Sequence, residues 1–167
     1  MKKTIFALSA ALMFVFMISC KGPEGPAGPT GPTGPAGNEE VYLFTYGSKT
    51  LESLNGYSAD YTFGTLPASK IDESLILIYY SAFSQEWNMA NGAGPMAIYQ
   101  TIQYYSSYDS TAHVYLANGD GSYYSGGDVT WDSSKVYLIP PSMIRAAEKQ
   151  NVDFSDINAV SRFTGKK

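Results

Sequence analysis

Hydrophobic and polar positions divide this chain into three stretches of different character. Residues 5–18 are an almost unbroken apolar run behind Lys2 and Lys3, and residues 20–39 carry no apolar periodicity. From residue 40 onward, short apolar runs and strict alternations are separated by turn-forming residues. That last pattern predicts strands. Residues 41–46 and 57–63, rich in β-branched and aromatic side chains, read as the first two, with Gly47-Ser48 and Asn55-Gly56 between them. Residues 70–74 are polar and suit a helical turn. The run Leu75-Ile76-Leu77-Ile78-Tyr79-Tyr80 that follows is continuously apolar, the mark of a central strand covered on both faces.

Residues 84–95, with Trp87, Asn88, Asn91, Gly92 and Gly94, have the composition of a turn region. Residues 96–104 then alternate, with Met96, Ile98, Ile102 and Tyr104 on one side and Tyr99, Thr101 and Gln103 on the other, one face inward and one wet. Ala112, Val114 and Leu116 alternate likewise against His113 and Tyr115. Asn118-Gly119-Asp120-Gly121 is the strongest hairpin signal, because these residue types accept positive φ. Ser125-Gly126-Gly127 ends that arm, and residues 135–139 form a last strand stopped by Pro140-Pro141. Ser142 is placed to cap a short helix over 143–149. Asp153 is placed to cap a second, whose Phe154, Ile157, Val160 and Phe163 share one face for packing on the sheet and whose end is Gly165. The expected fold is mainly β: an antiparallel β-sandwich-like domain over residues 40–167 with two short C-terminal helices.

The two N-terminal segments change the picture from a plain β domain to a displayed one. A basic start, an apolar run too short to span a bilayer comfortably, and a small residue before Cys20 make residues 1–19 a helical signal peptide. After Lys21 come six Gly-X-Y triplets, with Gly22, Gly25, Gly28, Gly31, Gly34 and Gly37 at every third position and Pro at five of the six X positions. This is the collagen period, in which only glycine fits the axis of three wound chains. The run admits two states, a single polyproline II spacer or a homotrimer wound through the stalk. The short length and the lack of Pro at any Y position favour the spacer.

Met17-Ile18-Ser19-Cys20 resembles the lipobox of bacterial lipoproteins, with Met where Leu is usual. The resemblance implies that Cys20 becomes the mature N-terminus and carries a thioether-linked diacylglyceryl group and an amide-linked acyl chain, palmitate-like lipids that attach the chain to a membrane. Several acyl chains hold where one does not, since each buried methylene adds about 0.8 kcal/mol. A lipobox followed by Gly-X-Y triplets and an aromatic-rich domain is similar to the collagen-like lipoproteins of Gram-negative outer membranes. That likeness implies outer-membrane, surface-exposed placement, as does Lys21, which is not an inner-membrane retention aspartate.

Charge and cysteine usage narrow the chemistry. The chain has a formal charge of −4, and losing Lys2 and Lys3 with the leader makes it two units more acidic. No basic run remains to bind nucleic acid. Cys20 is the only cysteine, so no intramolecular disulfide forms. His113 is the only histidine, which excludes a histidine cluster for zinc, and no G-x-S-x-G elbow is present. Gly47-Ser48-Lys49-Thr50 lacks the glycine spacing of a phosphate loop. Asn118, Asp120 and Ser122 lack the closing Glu of a calcium loop. Asp109-Ser110-Thr111 resembles the short O-glycosylation motif of some Gram-negative envelope proteins. No cofactor, metal or catalytic residue is expected.

The positive oddity is tyrosine: fourteen, with doublets at 79–80, 104–105 and 123–124. On a strand each doublet sends one ring to each face. Rigid, amphipathic rings suit recognition surfaces, and Tyr99, Tyr105, Tyr115, Tyr123, Trp87 and Trp131 are the candidate binding aromatics. The expected function is a lipid-anchored envelope protein with a structural, adhesive or ligand-binding β domain for protein or glycan. The alternative is a carbohydrate-active surface hydrolase, which needs a pair of acids across a cleft.

Overall fold

The computed structural model describes residues 40–83 and 86–167. The leader, Cys20 and the six stalk glycines lie outside the described residues. Among the described residues, ten strands and three short α-helices follow in chain order. Strands β1 (Tyr42–Tyr46), β10 (Ser133–Ile139), β4 (Leu75–Phe83) and β5 (Glu86–Met89) form one antiparallel sheet in the order β1-β10-β4-β5. A second sheet has the order β3-β8-β7-β6, from β3 (Ser58–Thr62), β8 (Thr111–Ala117), β7 (Gln100–Ser106) and β6 (Gly92–Ala93). A two-stranded ladder of β2 (Lys49–Leu51) and β9 (Val129–Trp131) accompanies them.

The continuous apolar runs of β4 and β10 have the expected cause. Ile78, Tyr80, Val136 and Leu138 face the second sheet and meet Ala59, Tyr61, Ala112, Val114 and Leu116 in one core. Their sequence neighbours Leu77, Tyr79, Tyr137 and Ile139 face the other way, into a smaller core with Ile157 and Val160. A strand between two apolar layers has no wet side to mark with polar residues. Trp131, Tyr61 and Tyr80 are the largest side chains buried in the first core; Trp131 stacks on Tyr80 at 4.0 Å between centroids, with 19° between planes.

Three tyrosine hydroxyls tie the layers together, each ring filling apolar space while its oxygen finds a partner. Tyr61 donates to Ser134 Oγ across the sandwich at 2.9 Å. Tyr79 donates to the Phe154 carbonyl and Tyr137 to the Lys166 carbonyl, both toward the C-terminal helices. Along the outer edge of β3, Lys49 Nζ donates to the Asp60 carbonyl at 2.9 Å and the Tyr46 hydroxyl to the Thr62 carbonyl at 2.6 Å.

The helices are α1 (Ala68–Asp72), α2 (Pro141–Lys149) and α3 (Ile157–Thr164). Helix α2 begins earlier than its expected Ser142 cap: Pro140 is the N-cap, Pro141 supplies the first turn, where a missing N–H is harmless, and Ser142 lies inside the helix. The cap of α3 is Asp156, whose carboxylate accepts from Asn158 N at 2.8 Å, in place of Asp153. Asp153 instead closes a tight turn onto the backbone N–H and hydroxyl of Ser155. Gly165 ends α3 at φ 70°, as expected. No described helix is long and apolar enough to cross a membrane.

Two expectations for the middle of the chain need correction. The turn-like stretch 84–95 holds the edge strands β5 and β6, and Val129–Trp131 forms β9. In β7 the inward side is the polar one: Thr101 is buried and Tyr104 is exposed. Thr101 Oγ1 donates to the Gly92 carbonyl and accepts from Asn91 N and Gly92 N, so the buried hydroxyl is fully used. Met96 and Ile98 stand outside the strand, Met96 in a single turn over Pro95–Ala97 and Ile98 at its C-terminal end, and both are exposed.

Candidate binding surface

The outward face of the second sheet is assembled by register. Asp60 pairs with His113 and His113 with Tyr104; one step along, Ser58 pairs with Tyr115 and Tyr115 with Ile102. Tyr104 stacks on the His113 ring at 4.7 Å and meets Tyr115 edge-on at 6.3 Å. His113 Nδ1 lies 2.8 Å from Asp60 Oδ1 and Nε2 lies 3.6 Å from Asp109 Oδ2. Both ring nitrogens thus face carboxylates rather than a serine hydroxyl. A Ser106 hydroxyl hydrogen bond holds the Asp109 carboxyl below the usual carboxylate range, with the Thr111 N–H and His113 adding to it. Ser110 takes φ 53° at this hairpin tip and Thr111 is buried. Among the described residues no group of three or more His, Cys, Asp or Glu is placed to hold a metal ion.

Beside this face two turns bring three further rings together. The Asn118–Ser122 turn is tight: Gly121 N donates to the Asn118 carbonyl with Gly121 at φ 83°, and Asp120 accepts from the N–H and hydroxyl of Ser122. These Ser122 bonds also pull the Asp120 carboxyl down. Asn118 Nδ2 donates to the Tyr123 carbonyl at 2.8 Å, and the chain leaves the turn through a lone bridge, Ala117 with Tyr123, rather than a full hairpin arm. Tyr123 is left 93% exposed. The other turn places Tyr57 at φ 53° directly after Gly56 at φ 66°. A bulky aromatic in the left-handed region is strained by about 1 kcal/mol or more. The Tyr57 hydroxyl donates to the Gly126 carbonyl at 3.0 Å, and its ring meets Tyr124 edge-on at 5.0 Å. A Cβ on Gly126 would lie 2.2 Å from the Tyr124 hydroxyl, so a side chain there would force this ring to shift.

The result is an open groove of about 500 Å³ whose walls include five tyrosines: Tyr57, Tyr104, Tyr115, Tyr123 and Tyr124. Ser53, Gly56 and Leu116 complete it, so no carboxylate, imidazole or amine lines it. Burial raises the Tyr124 phenol above its ordinary value, and the neighbouring Tyr57 and Tyr99 add to this. A second groove of about 520 Å³ also has Tyr124 in its wall, with Tyr99, Ile98, Val129, Asp128 and Asp132.

The six candidate aromatics therefore separate. Tyr115 and Tyr123 come together in the five-tyrosine groove. Trp131 is fully buried and belongs to the core, a correction that follows from its stack on Tyr80 and its Nε1–H bond to Tyr99 at 3.3 Å. Tyr99 is also buried, at 4% exposure, and lines the second groove. Tyr105 points inward and donates to Asp72 Oδ1 at 2.7 Å. Trp87 lies on the other sheet beneath Lys135 Nζ, 5.0 Å from its ring centre. The groove residues absent from the candidates are Tyr57, Tyr104 and Tyr124. The doublet 104–105 divides as a strand doublet should, with Tyr104 rather than Tyr105 facing out, whereas 123–124 lies outside the named strands and both of its rings line the groove. No protein-family model matches this chain, and no curated protein or solved structure matches it either.

Proposed function

We propose that this chain is a lipid-anchored protein of the cell envelope that carries its β domain on a short collagen-like stalk and binds a surface glycan through the five-tyrosine groove. The observation that carries the binding half of this reading is the groove itself, walled by five phenol rings and lined by no charged side chain. Rigid rings offer flat apolar faces to the C–H faces of a sugar while their hydroxyls hydrogen-bond its rim. The anchoring half rests on the Cys20 lipobox and the Gly-X-Y run. Glycan-array binding by the full-length chain in detergent, with loss of signal in Tyr123→Ala, tests the first; a blank array refutes it and leaves a structural role. Intact mass of the native protein tests the second, the expected product beginning at an acylated Cys20. A product with a bare thiol that washes off membranes in carbonate refutes it. A second reading, a surface carbohydrate hydrolase, draws on Asp128 and Asp132 at the neighbouring groove. Turnover of a bound glycan, abolished by Asp132→Asn, would place it first.

A further inference from the structure

We propose that the two grooves are one extended site for a linear, uncharged oligosaccharide that passes over Tyr124. This inference rests on the glycan reading above and names the class of glycan. Tyr124 lines both grooves, held edge-on between Tyr57 at 5.0 Å and Tyr99 at 6.1 Å. Each groove, at about 500 and 520 Å³, falls within the range of about 300–1,000 Å³ that small-molecule sites occupy, so a ligand confined to one leaves the other empty.

The charges select the ligand. The first groove has no charged side chain, and the second has Asp128 and Asp132 with no Lys or Arg. A sulfated or carboxylated chain would meet two carboxylates with no cation to offset them, whereas the hydroxyls of a neutral sugar are donors that carboxylates accept strongly. Apolar footing comes from Tyr99, Val129 and the 57%-exposed Ile98. Left-handed backbone at non-glycine residues occurs beside both grooves. Tyr57 borders the first, while Met96 and Ala97, at φ 54° and 55°, sit between Pro95 and Ile98 on the wall of the second. Strain of this kind persists where surrounding structure holds a surface in one shape, as preorganised sites require.

The test uses the full-length chain in detergent with malto-, cello- and manno-oligosaccharides from mono- to hexasaccharide, and heparin-derived oligosaccharides as anionic probes. Isothermal titration calorimetry is run on wild type, Tyr123→Ala and Asp132→Asn. Both replaced side chains are exposed, and an unchanged melting curve verifies that folding is intact. In one neutral series, affinity is expected to rise by about tenfold or more at the length that reaches from one groove into the other, the gain that one added aromatic or carboxylate contact supplies. The longest member loses affinity in both variants, and the shortest in only one of them. Length-independent binding, sensitivity to a single variant at every length, or tighter binding of the heparin fragments overturns the extended site and leaves glycan binding standing. Failure of every saccharide to bind, including the case in which a basic peptide such as oligolysine binds instead, overturns both.

Discussion

Replacing Trp131 by alanine tests whether the sandwich core is organised as described. The indole is fully buried between the sheets, stacked on Tyr80, and donates to the Tyr99 hydroxyl. Burying a ring of this size removes about 150–250 Å² from water, which at about 25 cal/mol per Å² corresponds to about 4–6 kcal/mol. Large-to-small changes at such sites cost about 3–5 kcal/mol once partial collapse of the cavity is allowed for. A loss of about 4 kcal/mol is therefore expected. For a folded unit of about 130 residues the unfolding entropy is about 0.27 kcal/mol/K, so the melting temperature should fall by about 15 °C. Trp131→Phe keeps a ring against Tyr80 and loses the Nε1–H bond and some volume, an expected cost of about 1–2 kcal/mol or about 4–7 °C. Leu54→Ala, at a position 94% exposed, serves as the control and should stay within about 2 °C of wild type. Thermal melts followed by circular dichroism read all three. If Trp131→Ala melts within about 3 °C of the Leu54→Ala control, the indole is not the core residue described and the cavity reasoning fails.

Alkali should unfold the domain through its interior phenols. Burial drives Tyr61, Tyr79 and Tyr80 far above the ordinary tyrosine value and raises Tyr46 to about 12. The folded state thus holds these protons more tightly than the unfolded chain, which releases them near pH 10. Stability is whole below about pH 10 and falls as pH climbs through the folded values. Phenolate absorbance should rise together with loss of the β signal; complete ionisation with the β signal intact would contradict this. At the helix start, Asp156→Ala should cost about 1 kcal/mol, seen as a lower midpoint in urea, because it removes the α3 cap. Gly126→Ala drives a methyl group into Tyr124 and should weaken the proposed glycan binding while lowering the melting temperature by no more than about 4 °C, the effect of about 1 kcal/mol. A larger fall with binding unchanged would mean that the loop supports the core rather than the groove.

The strands that could be read directly were those whose side chains obey one local rule. The run from Leu75 to Tyr80 is apolar because both of its faces are covered, and Ala112, Val114 and Leu116 face the core in a regular alternation. What failed was anything decided by a distant partner. Thr101 goes inward because Asn91 and Gly92, where the chain enters β6 about ten residues earlier, supply its hydrogen bonds. Strands β5 and β6 carry turn-forming residues and exist by pairing with β4 and β7. The cap of α3 moved by three residues because both Asp153 and Asp156 precede suitable N–H groups and local sequence does not rank them. For the groove, Tyr123 was legible from its doublet and Tyr115 from its alternate position. Tyr57 and Tyr124 meet only through the close passage of two loops about seventy residues apart. Trp131 was misplaced because an isolated tryptophan among Asp, Thr and Ser gives no sign of being swallowed by two sheets.

The contacts of Lys49 and Tyr46 along β3 bear on how neighbouring copies coexist. An open strand border is a template on which an extended segment of another molecule can be recruited, the first step toward fibrous association. Here two of the border's acceptors, the Asp60 and Thr62 carbonyls, are already taken by a flexible amine and a phenol from the same chain. The amine also brings a charge to the border, the kind of group that discourages edge-to-edge pairing. The border is thus closed to an incoming strand at two of its acceptor positions.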